Sequence, residues 1–254
     1  MNQNFTKAIL PLAALSCVHG KMLAQDTARP NILYIMCDDH AMQAISAYGS
    51  PISKLAPTPN IDRLAQRGML FRNCFVENSL STPSRACLMT GLYSHQNGQR
   101  QLAEGIDTTK TFVPELMQKA GYETGIVGKW HMMCRPKGFD YYYILDGQGK
   151  YYNPNFCTTG NYGKYKQEMG YATTLTTQHA IEFLDHRQKD KPFCLYVHHK
   201  APHRSWFAEP KHIGMYDGVD FPLPKTFWDN YENRGSAAKT QKMNIEKDME
   251  LILD

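Results

Sequence analysis

Two carboxylates, a serine, two imidazoles and two cations are spaced in this sequence so that they could do chemistry together. Ser81 and Arg85 lie in residues 79–91, Ser-Leu-Ser-Thr-Pro-Ser-Arg-Ala-Cys-Leu-Met-Thr-Gly. Pro83 suits the first turn of a helix, where its missing N–H would be unpaired anyway, and Gly91 suits the left-handed residue that ends one. On such a helix Ser81 stands at the N-terminal mouth, where unpaired N–H groups and the macrodipole favour negative charge. Arg85, four residues on, shares its face. A hydroxyl, a guanidinium and a helix mouth aimed at one point suit an anionic group under nucleophilic attack. The same spacing also suits an ordinary capped helix with a surface arginine. Asp38 and Asp39 are adjacent and repel each other unless a cation or hydrogen bonds compensate. Hard divalent cations such as calcium take such oxygens, though a turn capped by two Asp residues reads equally simply. Lys129 and His131 lie two apart, so in an extended segment they point the same way while Trp130 packs behind them. A surface Lys beside a core His is the plainer alternative.

The elements that position these groups follow from apolar runs and breakers. Residues 31–37 form a continuous apolar run of strand length, as expected for a central strand covered on both faces, and they end at Asp38. Thr58-Pro59-Asn60 opens a helix over 61–67 that Gly68 closes, and a second strand is expected over 69–76. A helix over 112–120 stops at Gly121, and a strand over 122–127 leads to Lys129 and His131. Residues 138–163 read as a long aromatic and glycine-rich loop, whose tyrosines could hold a sugar or simply pack. A helix over 172–187 carries a stripe of Leu175, Ala180, Ile181 and Leu184. A strand over 192–198 then ends in His199, Lys200, Ala201, Pro202, His203 and Arg204. Alternating strands and helices argue for an α/β fold with a largely parallel sheet flanked by helices, and ligands of such sheets bind beyond the carboxyl ends of the strands. All four polar clusters follow a predicted strand, which places them on one rim.

Residues 79–91 match the signature of the type I sulfatases position by position, and residues 121–131, Gly-Tyr-Glu-Thr-Gly-Ile-Val-Gly-Lys-Trp-His, match a second signature of that family in the family's order. The chain thus resembles the N-terminal portion of a formylglycine-dependent, Ser-type sulfatase of the alkaline phosphatase superfamily. The resemblance implies that a formylglycine-generating maturase oxidises Ser81, and that the hydrated aldehyde attacks the sulfur of a sulfate ester. It makes Asp38 and Asp39 ligands of a Ca2+ ion together with the modified Ser81, and Arg85 the stabiliser of the nucleophile. Lys129 becomes a sulfate-binding lysine and His131 the base that holds the hydrate. His203 becomes the histidine that contacts the sulfate and protonates the departing alcohol. The segments around His203 and the Gly-Gln-Gly-Lys-Tyr-Tyr-Asn-Pro stretch look like those of bacterial carbohydrate sulfatases, with 6-sulfated N-acetylglucosamine as a candidate substrate.

Composition sets the bounds. With 254 residues, 42% hydrophobic and 20% charged, the chain can bury one sizeable core. A net charge of +4 marks neither a nucleic-acid binder nor a membrane-surface protein. Lys7 and the short apolar run 8–18 read as a secretion signal cleaved after Ala24, with a lipoprotein site at Cys17 as second choice, and the remainder, 25–254, as the N-terminal part of a catalytic domain. An exported chain with a Ser-type signature is expected in the periplasm or on the outer surface of an anaerobic bacterium. The later cysteines, Cys37 to Cys194, show no metal-binding or small-scaffold spacing and are expected mostly as buried apolar residues. The family's second pair of metal ligands and second sulfate-binding lysine lie further downstream than this sequence reaches. Asp229-Asn230 does not fit that role in its setting, so the sheet is expected to be incomplete at the C-terminal side. Besides a sulfatase, a non-catalytic fragment with weak affinity for sulfated glycan fits these observations. A phosphatase of the same superfold is disfavoured by the Ser81-to-Arg85 signature.

Overall fold

The computed structural model describes residues 29–243 and Ile245. The proposed signal segment 1–24 and Cys17 lie outside them. Among the described residues six strands form one sheet: β1 (Ile32–Cys37), β2 (Glu123–Gly128), β3 (Tyr141–Leu145), β4 (Asn155–Thr158), β5 (Lys166–Gln167) and β6 (Phe193–His199). Their order is β1-β6-β2-β3-β4-β5. The four strands β1, β6, β2 and β3 are parallel, and β4 and β5 join antiparallel. The parallel core matches the α/β expectation, and the antiparallel extension makes the sheet mixed.

Helices α1 (Pro59–Arg67), α2 (Ser81–Thr90), α3 (Ser94–Asn97), α4 (Val113–Lys119), α5 (Ala172–His186) and α6 (Ser236–Thr240) flank or follow the sheet. Phe112, Ile126, Tyr142, Ile144 and Cys194 form a core with Ala86 and Met89 of α2 on one side of the sheet. Fully burying an apolar side chain of this size contributes roughly 1.5–3 kcal/mol. Val127, Leu195 and Val197 pack with Ala180 and Phe183 of α5. Gly125 permits that contact, because a Cβ there would approach both Phe183 and Leu195 to 3.0 Å.

Several expectations are corrected. Residues 69–76 form no strand, and Met69, Phe71, Phe75 and Val76 are exposed. Strand β1 lies at the sheet edge instead of its centre, and Ile32, Leu33, Tyr34 and Ile35 are exposed. These two apolar runs have no further strand to pair with among the described residues. The stretch 138–163 is not one loop, since it contains β3 and β4. In α5, Ile181 is exposed, and Phe183 and His179 take part in the buried face with Leu175 and Ala180. Cys87, Cys157 and Cys194 are buried as expected, whereas Cys37 and Cys134 are half-buried and Cys74 is exposed; all six are free thiols.

Candidate active site

Helix α2 starts at Ser81, which follows the extended residue Leu80, and ends at Gly91 with φ +66°. The Gly91 N–H donates to Cys87 O at 2.8 Å, as a left-handed C-terminal residue should. Ser81 is therefore at the mouth of the helix. Arg85, one turn on and 1% exposed, donates from Nε to Ser81 Oγ at 3.2 Å. Its Nη1 donates to the Lys129 carbonyl at 2.7 Å, and its Nη2 lies 3.6 Å from Asp38 Oδ1. That Nη2 is buried without a hydrogen-bond partner among the described residues, so donor capacity remains for an anion. Burial lowers the Arg85 pKa to about 10, opposed by Asp38; the guanidinium stays charged at neutral pH.

Strand β2 ends at Gly128 and delivers Lys129 and His131. Gly128 has φ +95°, and a Cβ there would fall 2.1 Å from the His198 carbonyl. The strand can therefore turn at this point only with glycine. Lys129 is fully buried; its ammonium contacts the Asp38 carboxylate and donates to Gln148 Oε1 at 2.5 Å. Burial lowers its pKa to about 8, with Asp38 pulling the other way. His131 has φ +47°, so it reaches the site by a left-handed turn and not by the strand alternation expected. Its Nδ1 lies 3.3 Å from Ser81 Oγ and 3.4 Å from Thr82 Oγ1. Burial first, then the Lys129 and Arg85 cations, lower its pKa to about 4. Trp130 packs away from the site, donating Nε1–H to the Cys134 carbonyl, as expected.

The remaining partners come from the ends of β1 and β6. Asp38 is buried between Lys129 and Arg85. Asp39 is exposed, at φ +61°, with its Oδ2 3.6 Å from His203 Nε2. The His203 ring is oriented by a 2.6 Å hydrogen bond from Nδ1–H to the Arg204 carbonyl, and Tyr151 Oη–H donates to the His203 carbonyl. The structure thus joins Asp38, Ser81, Arg85, Lys129 and His131 in one contact network and places His203 against Asp39 next to it. Three of the four clusters follow a strand. Ser81 does not, because 69–76 is irregular.

Gln148 and His198 are not singled out as site residues by the sequence, and Lys200 is named there only as part of the cluster that ends the 192–198 strand. Gln148 is turned onto Lys129 by Gly147 and Gly149, both at positive φ, so the Gly-Gln-Gly spacing was the available signal. Lys200 is buried with Nζ 5.0 Å from the Tyr151 ring centre. His198 gives no signal, since it reads as an ordinary strand residue. Of the tyrosines in residues 138–163, Tyr142 and Tyr151 are buried, Tyr151 stacking on Tyr171, while Tyr152 and Tyr162 are exposed.

Asp38 and Asp39 offer the hard oxygens that Ca2+ prefers. They make up less than half of the roughly 6–8 ligands it takes. Among the described residues no group of three or more His, Cys, Asp or Glu gathers as a metal cluster. Nor is any helix there long and apolar enough to cross a membrane. The donor set fits one side of a cation site.

The chain is similar to known proteins along most of its length. The Sulfatase family profile matches residues 30–243. N-acetylglucosamine-6-O-sulfatase of Bacteroides thetaiotaomicron is 46% identical over 252 residues, covering 97% of this chain and 44% of that protein. Human N-acetylgalactosamine-6-sulfatase is 31% identical over 220 residues, covering 73% of this chain and 42% of that protein. A solved structure in complex with its substrate D-glucosamine-2-N,6-O-disulfate superposes with a TM-score of 0.81 at 47% identity, covering 86% of this chain and 44% of that one. The chain spans under half the length of these relatives.

Proposed function

The chain belongs to the sulfatase family, and from that premise we propose that it hydrolyses sulfate esters of carbohydrates, with residue 81 as the source of the nucleophile. The observation that carries this reading is Ser81 Oγ held between Arg85 Nε at 3.2 Å and His131 Nδ1 at 3.3 Å at a helix mouth. The likeness to the glucosamine 6-O-sulfatase supports a 6-sulfated N-acetylglucosamine as the substrate class.

Conversion of Ser81 to formylglycine removes two hydrogens from its CH2–OH, and a maturase with its own electron acceptor would take them. The hydrated aldehyde supplies a hydroxyl nucleophile toward sulfur. Asp38 and Asp39, with the oxygen on residue 81, would hold one side of a Ca2+ ion, which supplies charge to polarise the sulfuryl oxygens. The chain's own groups do the rest. His131, neutral at pH 7 because its pKa is near 4, accepts a proton at Nδ1 from the oxygen on residue 81. Arg85 and Lys129 provide preorganised positive charge where negative charge grows on the sulfate. His203, with Nδ1–H tied to the Arg204 carbonyl, gives a proton from Nε2 to the departing sugar oxygen.

Export to the periplasm or outer surface is part of the same proposal, resting on Lys7 and the apolar run after it. A second reading, weak binding of sulfated glycan without turnover, is favoured by the two-carboxylate donor set. Mass spectrometry of the peptide around Ser81, after co-expression with an anaerobic Ser-type maturase, tests the proposal. A peptide lighter by two hydrogens is expected, and one that stays serine overturns catalysis through residue 81.

A further inference from the structure

Strand β6 carries an imidazole that the reaction outlined above does not use. His198 is 1% exposed and lies in the sheet interior, in register with Met36 of β1 and Gly128 of β2. Its Nδ1 is 3.0 Å from Arg85 Nη1 and 3.3 Å from the Lys129 carbonyl oxygen. A guanidinium nitrogen donates and never accepts, so the 3.0 Å contact is attractive only if Nδ1 holds a lone pair. The proton of the neutral ring then sits on Nε2, which has no partner among the described residues. Tyr34 and Tyr196 close in around the ring edge-on, with centroids 6.0 and 5.8 Å away. A buried polar atom left unpaired is uncommon and calls for a compensating role.

We propose that His198 is a positioning residue for Arg85: its unprotonated Nδ1, together with the Lys129 carbonyl, fixes the guanidinium so that Nε meets Ser81 Oγ and Nη2 faces Asp38. Full burial and the adjacent cation hold its pKa well below 6.5, which keeps the acceptor lone pair available. An apolar residue would fill the same space in β6 but would leave Nη1 with the carbonyl alone and the guanidinium plane free to swing. The catalytic part of this inference rests on the sulfatase reading; the tautomer does not.

Nitrogen NMR of the 15N-histidine-labelled chain, with His198 assigned by the signal lost in His198→Leu, reads the tautomer directly. At pH 7 the expected pattern is protonated Nε2 and unprotonated Nδ1; an Nδ1–H or an imidazolium overturns the proposal. Kinetics on the matured protein provide the second readout, comparing His198→Leu with His198→Asn, whose side-chain oxygen can still accept. The leucine variant is expected to lose kcat on the order of tenfold or more, with KM for glucosamine 6-sulfate changed less than about twofold and part of kcat restored by asparagine. Equal rates for all three proteins overturn the role. Should the unsubstituted protein release no sulfate, the sulfatase reading fails, and the NMR result still decides how Arg85 is held.

Discussion

At the residue scale, cations and neutral imidazoles are held together by burial. Arg85 and Lys129 share the buried carboxylate of Asp38, which offsets part of their desolvation. The histidines around them respond in the opposite sense: His131 is lowered to about 4, and His198 and His199 are also lowered, each chiefly by burial. A histidine whose folded pKa lies below its unfolded value binds fewer protons folded than unfolded between the two values. Stability then rises with pH across that window. It is fully present above about pH 6.5 and is lost as pH falls toward each folded pKa. Thermal unfolding should show the melting temperature dropping by several degrees, on the order of 5 °C, from pH 7 to pH 5. A flat or rising profile over that range would mean that these rings are already charged in the folded chain.

At the element scale, the site depends on how β2 ends. Gly128 must turn at φ +95° under the His198 carbonyl, and Lys129 N–H then donates to that carbonyl at 2.7 Å. Gly128→Ala combines a disfavoured backbone with a clash against backbone and the Thr176 methyl, and is expected to destabilise by about 3 kcal/mol or more. Gly147→Ala, also at positive φ but with nothing within 4 Å of a Cβ, should cost only about 1 kcal/mol. Urea unfolding of both variants checks this; equal losses would show that local strain alone governs. Element reading from sequence worked where pattern and partner coincide. Strands β2 and β6 lie within one residue of expectation because both are covered on two faces, and α2 was marked by Pro83 and Gly91. It failed where an apolar run has no neighbour to cover it, as in 69–76 and along the unpaired edge of β1. Lys129 and His131 were correctly paired for a reason that does not hold: the chain is no longer extended at His131. Gln148 and His198 escaped because their roles depend on contacts between distant segments, Gln148 with Lys129 and His198 with Arg85; the Gly-Gln-Gly spacing marks a turn at Gln148 but not its partner, and His198 has no local signal.

At the scale of the whole molecule, a parallel core of four strands brings the ends of β1, β2 and β6 to one rim, and α2 points its N-terminal mouth at the same place. Sequence reading anticipated that rim from strand ends alone, and the fold supplies it with three strands and one irregular approach. The sheet leaves Ile32, Leu33, Tyr34 and Ile35 of β1 exposed, and the chain spans 44% of its Bacteroides thetaiotaomicron relative. Turnover is therefore the decisive property. The direct measurement is release of inorganic sulfate from N-acetylglucosamine 6-sulfate by the protein matured at Ser81, beside a Ser81→Ala variant prepared identically. Sulfate release by the matured protein and none by the variant is the predicted result. Equal release from both, or no release from a protein whose residue 81 is fully converted, would contradict a site built around Ser81, Arg85 and His131.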